Sequence, residues 1–170
     1  MSLGIFITMR VITKPINISF RELLLDDVDT LVDIEKANTE HTWSSSHFSS
    51  SVSNNNTLSY GLVVEQKLIG YTLALVAPES ADLLNIGIHP NYKRQGYGEA
   101  LLTHLLAQLK EVAINELILE VRVENHIAIN FYQKQGFEGV GTREKYYSNR
   151  EDAKIMKLYI LNQKSIQHAL

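Results

Sequence analysis

An α/β fold built on a mixed sheet follows from three observations on this chain of 170 residues. Alternating apolar runs separated by short polar turns dominate the first half. Strands then alternate with helical periodicity around a long amphipathic stretch that opens at Tyr97. Strand patterns return near the end. The length suits one domain with a proper core. That domain is assigned to 16–162, with 1–15 as an N-terminal extension and 163–170 as a C-terminal tail. Within the extension, Met1-Ser2-Leu3 is compatible with a cloning remnant and Met9 with a native start.

Taken in order, Ile16 to Glu22 alternates apolar and polar residues and predicts a first strand. Asp26 or Asp27 can cap a helix running to about Asn38, with Val28, Leu31, Val32 and Glu35 marking its turns. The Ser- and Asn-rich stretch from Trp43 to Asn56 is either a short helix over Phe48 and Val52 or a surface loop. Leu58 to Val64 and Leu68 to Val76 predict a hairpin across Glu65-Gln66-Lys67. Asp82 to Ile88 is a further strand, closed by Pro90.

Tyr97 to Ala113 is the clearest helix. Leu101, Leu102, Leu105, Leu106, Leu109, Val112 and Ala113 fall on one face, and Thr103, His104, Lys110 and Glu111 on the other. Glu116 to Val123 reads as a strand, Ile127 to Gln135 as a helix ended by Gly136, Phe137 to Thr142 as a strand and Ala153 to Leu161 as the last strand.

Composition narrows the function. The chain is 45% hydrophobic and 21% charged, with a formal net charge of -3. That balance argues against general nucleic-acid affinity, which needs clustered excess Lys and Arg. With no cysteine, disulfides, thiolate metal sites and a cysteine nucleophile are excluded. The six histidines show no metal-ligand spacing, so no metal is expected. No apolar run approaches a membrane span, and the first residues lack a signal-peptide pattern. The expectation is a cytoplasmic protein with no membrane partner.

Two stretches carry chemistry. Lys93-Arg94-Gln95-Gly96-Tyr97-Gly98 follows an apolar strand and opens the long helix. A dinucleotide fingerprint would need a third small residue where Leu101 stands, and a P-loop would need Gly-Lys-Ser/Thr. The remaining functional reading is a glycine loop whose amides and helix N-terminus face a pyrophosphate; the alternative is a plain strand-to-helix turn. In the second stretch, Leu119 to Asn125, an apolar strand carries a glutamate, Glu120, and Tyr132 follows within the next helix. A phosphate cradle beside a carboxylate and a phenol points to a nucleotide-bearing cofactor with proton transfer next to it, hence a group-transfer enzyme. Asn125 is placed to N-cap the helix from His126. Ser44-Ser45-Ser46 reads as helix-start chemistry rather than a nucleophile.

The string KRQGYGEALL after NIGIHP resembles motif A of the GCN5-related N-acetyltransferases, and LEVRVENHIAINFYQKQGF resembles their motif B. Leu119 to Asn125, Asn130 to Phe137 and YYSNREDAKIM are similar to the RimI branch, the ribosomal-protein alanine N-acetyltransferases, as are Ile34-Glu35 and Trp43-Ser44. The resemblance is dense from Leu84 to Met156, thin before that, and leaves out the first fifteen residues. Lys93 departs from the family's Gln or Arg, Thr42 from a frequent Pro, and Glu99 from a basic or small residue.

The resemblance implies a GNAT fold, a central mixed, mostly antiparallel sheet flanked by helices with a V-shaped splay between strands 4 and 5, and acetyl-CoA as co-substrate. It implies that Ile86, Gly87 and Ile88 line the cofactor with main-chain groups. Arg94, Gln95, Gly96, Tyr97, Gly98 and Glu99 would hold its pyrophosphate, with Glu99 acting through its amide and turning its side chain to water, and Asn125 would add a contact. Gly87 would sit at a β-bulge opening the splay, or serve as a packing glycine. The amide of Ile88 would polarise the thioester carbonyl. Glu120 would be the general base and Tyr132 the general acid. Trp43, Tyr146 and Tyr147 would flank the acceptor groove. The implied partner is a protein N-terminus, most simply that of a basic ribosomal protein; the sequence leaves the oligomeric state open between monomer and weak dimer. Two rivals remain: acetylation of a small amine such as an aminoglycoside or polyamine, and a non-catalytic acyl-CoA-binding module. Retention of Glu120, Asn125 and Tyr132 together speaks against the second, because a binder needs no proton-transfer pair.

Overall fold

The computed structural model describes residues 17–40, 42–147 and 151–160. The expected N-terminal extension, the first residue of the expected first strand, the last residue of the expected final strand and the expected C-terminal tail lie outside these residues. The chain runs β1 (Ile18–Glu22), α1 (Val28–Lys36), α2 (Ser45–Val52), β2 (Thr57–Val64), β3 (Lys67–Val76), β4 (Ser80–Ile88), α3 (Tyr97–Glu111), β5 (Glu116–Arg122), α4 (His126–Lys134), β6 (Glu138–Arg143) and β7 (Ala153–Tyr159). The strands form one sheet in the order β1-β2-β3-β4-β5-β7-β6. Every neighbouring pair is antiparallel except β4 and β5.

Helices cover both faces because strand alternation leaves both faces apolar. One cluster joins α1 and α2 to β3 through Leu31, Ile34, Phe48, Tyr71 and Leu73. A larger cluster on the opposite face joins α3 and α4 to β5 through Leu102, Leu105, Leu117, Leu119, Val121, Ile129 and Tyr132. A third packs Leu101 and Tyr97 of α3 on Leu62 and Ile69.

Several local expectations are met and some are corrected. The Ser-rich stretch forms the short helix α2, whose cap Ser44 accepts the His47 amide at 3.3 Å. Asp27 does not cap α1 with its side chain. Its carboxylate takes the Leu24 amide at 2.8 Å and both Arg21 nitrogens at 2.7 Å, anchoring the turn that precedes the helix. The β2–β3 hairpin closes through Glu65 and Gln66, both at positive φ (48° and 69°), the mirror-image turn that suits twisted strands. α3 ends at Glu111 rather than Ala113: Val112 is exposed and Ala113 reverses to φ 61°, turning the chain back toward β5.

The expected bulge is present but not at Gly87. The β3–β4 register passes from Leu73↔Asn85 to Ala74↔Leu83, so Leu84 is the extra residue. Gly87 is instead a close-approach glycine: a Cβ there would lie 2.8 Å from the Tyr71 ring. Beyond the bulge the sheet opens. β4 and β5 pair only from Ser80↔Glu116 to Leu83↔Leu119, although both strands continue.

Candidate active site

The divergence of β4 and β5 creates a cavity of about 1090 Å³. Its lining includes Ile86, Gly87 and Ile88 from β4, Arg94, Gly96, Gly98 and Glu99 at the start of α3, Glu120 and Arg122 from β5, Asn125, Tyr132 from α4, and Tyr147. The splay is what lets these groups meet. Leu117, Leu119 and Val121 face the α3–α4 side of β5, so alternation turns Glu120 to the α1–α2 side. Tyr132 enters from α4 on the opposite side. Two side chains from opposite faces of one sheet line a common space only where the strands part.

At one end lies the glycine loop. Arg94 (φ 58°) and Gly96 (φ 84°) adopt left-handed conformations, which curl the backbone tightly ahead of α3. Gly96 serves as N-cap and offers no side-chain hydrogen bond, so the first-turn amides of α3 face outward without a capping group. With the helix dipole behind them, these amides suit an anion. Nothing lies within 4 Å of a Cβ built on Gly96, and a Cβ on Gly98 meets only ordinary contacts at 3.7 Å from Phe131. Both glycines therefore leave room on the cavity side rather than filling a packing slot. Glu99 in the first turn is exposed. Gln95 folds back, its side-chain amide donating to the Asn91 carbonyl at 3.2 Å, and Tyr97 is buried against Tyr92. Neither lines the cavity with the other loop residues.

Along β4, the His89 amide donates to Ile69 O at 2.8 Å, so His89 faces β3. Strand alternation then directs the Ile88 backbone groups into the splay. Asn38 at the end of α1 donates its side-chain amide to Ile88 O at 3.0 Å, which leaves the Ile88 N–H as the donor on that edge. Asn125 caps α4, its Oδ1 accepting the Ala128 amide at 3.1 Å, as the sequence predicts.

Glu120 is partly buried and held from the β6 side. Arg143 Nη1 lies 2.9 Å from its Oε1, and the Tyr146 hydroxyl bonds to the same carboxylate, which raises the Tyr146 pKa. Asp82 of β4 is its near neighbour; burial raises the Asp82 pKa, the Glu120 charge adds to the rise, and Arg143 opposes it. Tyr132 is buried among Phe131 and Phe137. Burial pushes its phenol well above the ordinary tyrosine value, and the neighbouring Tyr147 contributes.

Of the expected acceptor-side residues, Tyr147 lines the cavity and Tyr146 touches Glu120. Trp43 packs on Phe48 and His47 near the α1–α2 connection and is not among the cavity residues. Sequence reasoning read Glu35 as a helix-turn marker and as part of the resemblance but not as a site residue, yet it lines the cavity while buried on the core face of α1. Its carboxylate accepts the Tyr71 hydroxyl, Asn85 Nδ2 at 3.2 Å and the Trp43 amide at 3.4 Å. The signal was a charged residue standing within an apolar helical stripe. Among the described residues there is no group of His, Cys, Asp or Glu that could hold a metal, and no helix long and apolar enough to cross a membrane.

A family model described as the acetyltransferase (GNAT) family matches residues 25–137. The ribosomal protein bS18-alanine N-acetyltransferase of Escherichia coli is 36% identical over 137 residues, which is 79% of this chain and 92% of that protein. The crystal structure of the Escherichia coli enzyme superposes with a TM-score of 0.79 at 34% identity, covering 86% of this chain and 96% of that one. NAA60 of Arabidopsis thaliana in complex with acetyl-CoA shares the fold at 18% identity, with a TM-score of 0.75 and coverage of 85% and 99%.

Proposed function

The chain belongs to the GNAT acetyltransferase family, and on that premise we propose that it transfers acetyl from acetyl-CoA to the N-terminal α-amine of a protein, an alanine-starting ribosomal protein first of all. The likeness to the Escherichia coli enzyme carries the choice of acceptor. The residues on the cavity wall fit the donor: the uncapped α3 N-terminus with Gly96 and Gly98 suits a pyrophosphate, and the Ile88 N–H suits a carbonyl oxygen. When bound, acetyl-CoA supplies an acetyl group activated as a thioester.

The chain's own groups then manage protons. Glu120 accepts the proton of the incoming ammonium, directly or through water. Because Arg143 and Tyr146 already occupy part of its carboxylate, relay through water suits the geometry. Tyr132, kept protonated by burial, donates a hydrogen bond toward the side where a thiolate departs. Acceptor energetics agree. Deprotonating an α-amine of pKa about 7.8 at pH 7 costs about 1 kcal/mol, against about 4.6 kcal/mol for a lysine amine near 10.4. One carboxylate is ample for the first.

A peptide beginning Ala and rich in Arg, offered with acetyl-CoA beside spermidine and an aminoglycoside, tests the proposal. The peptide should be acetylated on its α-amine, at a rate that falls with added salt, since the chain carries a net charge of -3. Chemical blocking of that amine should abolish the reaction even with lysines present. Acetylation of the blocked peptide, or a strong preference for spermidine, would overturn the acceptor assignment and leave the family assignment standing.

A further inference from the structure

Arg122 lies two residues beyond Glu120 on β5, on the same face of the strand and past the point where β4 has parted. Its guanidinium carbon sits 3.8 Å from the centroid of the Tyr147 ring, and its Nη1 lies 2.5 Å from Glu151 Oε2. The two side chains are 20% and 15% exposed, so the pair is shielded from the screening that weakens surface bridges. Three bonds donated by backbone amides, two to backbone carbonyls and one to a side-chain carboxylate, tie the same region down. The Lys145 amide donates to Asp152 Oδ1 at 2.7 Å, the Tyr147 amide to Glu151 O at 3.1 Å and the Val123 amide to Asp152 O at 3.2 Å. Tyr147 in turn lines the cavity and lies within electrostatic reach of both Glu120 and Tyr132.

From this arrangement we propose that Arg122 is a positioning residue for the acceptor side: gripped between the Tyr147 ring and the Glu151 carboxylate, it seats Tyr147 as the cavity wall beside Glu120. The inference rests on the acetyl-transfer reading of that cavity. It requires arginine. A planar guanidinium presents its face to a ring while its edge donates to a carboxylate, whereas a lysine ammonium is a point charge that serves one partner well. Arg122→Lys therefore keeps the charge and the ion pair but loosens Tyr147. Arg122→Gln loses both contacts.

The experiment combines steady-state kinetics with residue-resolved amide exchange. In Arg122→Lys, KM for an alanine-starting peptide should rise roughly three- to thirty-fold, the range that a cation–π contact spans. Acetyl-CoA affinity, read by calorimetry, should stay within about twofold, because the glycine loop is untouched. Exchange at the Lys145, Tyr147 and Val123 amides should quicken, more in Arg122→Gln than in Arg122→Lys, while Leu105 in the core of α3 keeps its protection. Unchanged exchange at those three amides would overturn the proposal, as would acetyl-CoA affinity falling as much as peptide affinity or uniform quickening across the chain. If wild-type protein ignores the peptide, the acceptor reading falls, and the exchange pattern still decides whether Arg122 holds Tyr147.

Discussion

Replacing one oxygen of Glu120 by nitrogen keeps its shape and removes its basicity. Glu120→Gln should lower kcat/KM near neutral pH by roughly 10²- to 10⁴-fold, the range of a positioned acid or base. Activity should partly return as the pH rises past the acceptor's own pKa, because the amine then deprotonates unaided. A mutant at wild-type rates across pH would transfer that role to another group. Tyr132→Phe should lower turnover at little cost in acetyl-CoA affinity. The two glycines separate conformational from contact effects. Gly96→Ala places a side chain at φ 84° and should cost about 1–2 kcal/mol of stability. Gly98→Ala meets only ordinary contacts within the protein, so its fold should hold while acetyl-CoA binding weakens. Unchanged calorimetric affinity in Gly98→Ala would remove the phosphate-cradle reading. That Glu120, Tyr132, Gly96 and Gly98 line one cavity was legible because the motif resemblance marks them in sequence. Glu35 was not, since its fixed geometry depends on Tyr71 and Asn85, distant in sequence and joined only by the sheet register.

At the scale of elements, helical and strand periodicity predicted the seven strands and four α-helices found among the described residues, with α2 as one of two options. Periodicity failed where a neighbour overrides it. Val112 and Ala113 continue the apolar phase of α3, yet the chain must reverse there to enter β5. Of the two readings left open for Gly87, bulge or packing glycine, the packing one fits, because Tyr71 fills the space beneath it and the irregularity falls at Leu84. α3 also carries a pH-sensitive contact. His104 stacks on Phe20 of β1 at 4.4 Å and meets Tyr60 of β2 edge-on at 4.8 Å. Burial lowers its pKa, so the folded chain keeps it neutral where the unfolded chain, near the ordinary value of about 6.5, takes up a proton. This contribution is complete above the unfolded value and is lost as pH falls through it. Urea midpoints should drop between pH 7.5 and 5.5, and His104→Phe should flatten that slope. An equal slope in the mutant would assign it to other groups.

Across the whole molecule, two half-sheets are joined by only four residue pairs of β4 and β5. What makes them one unit is the core shared beneath them, where Ala81 and Leu83 of β4 and Leu117 and Leu119 of β5 pack with α3. Leu105, fully buried there, should cost about 2–5 kcal/mol when changed to Ala. The single tryptophan, Trp43, reports from the α1–α2 side, and far-UV circular dichroism reports from the whole. Both midpoints should move together in Leu105→Ala; separated transitions would mean that the halves unfold independently. The splay carries a further consequence. It leaves the facing edges of β4 and β5 unpaired with each other beyond Leu83↔Leu119, with the cavity between them. A molecule bound there adds its binding energy to folding energy, about 2.7 kcal/mol at a hundredfold excess over Kd. If the cavity takes acetyl-CoA as proposed, the resistance of this protein to heat and proteolysis should rise with the concentration of that donor.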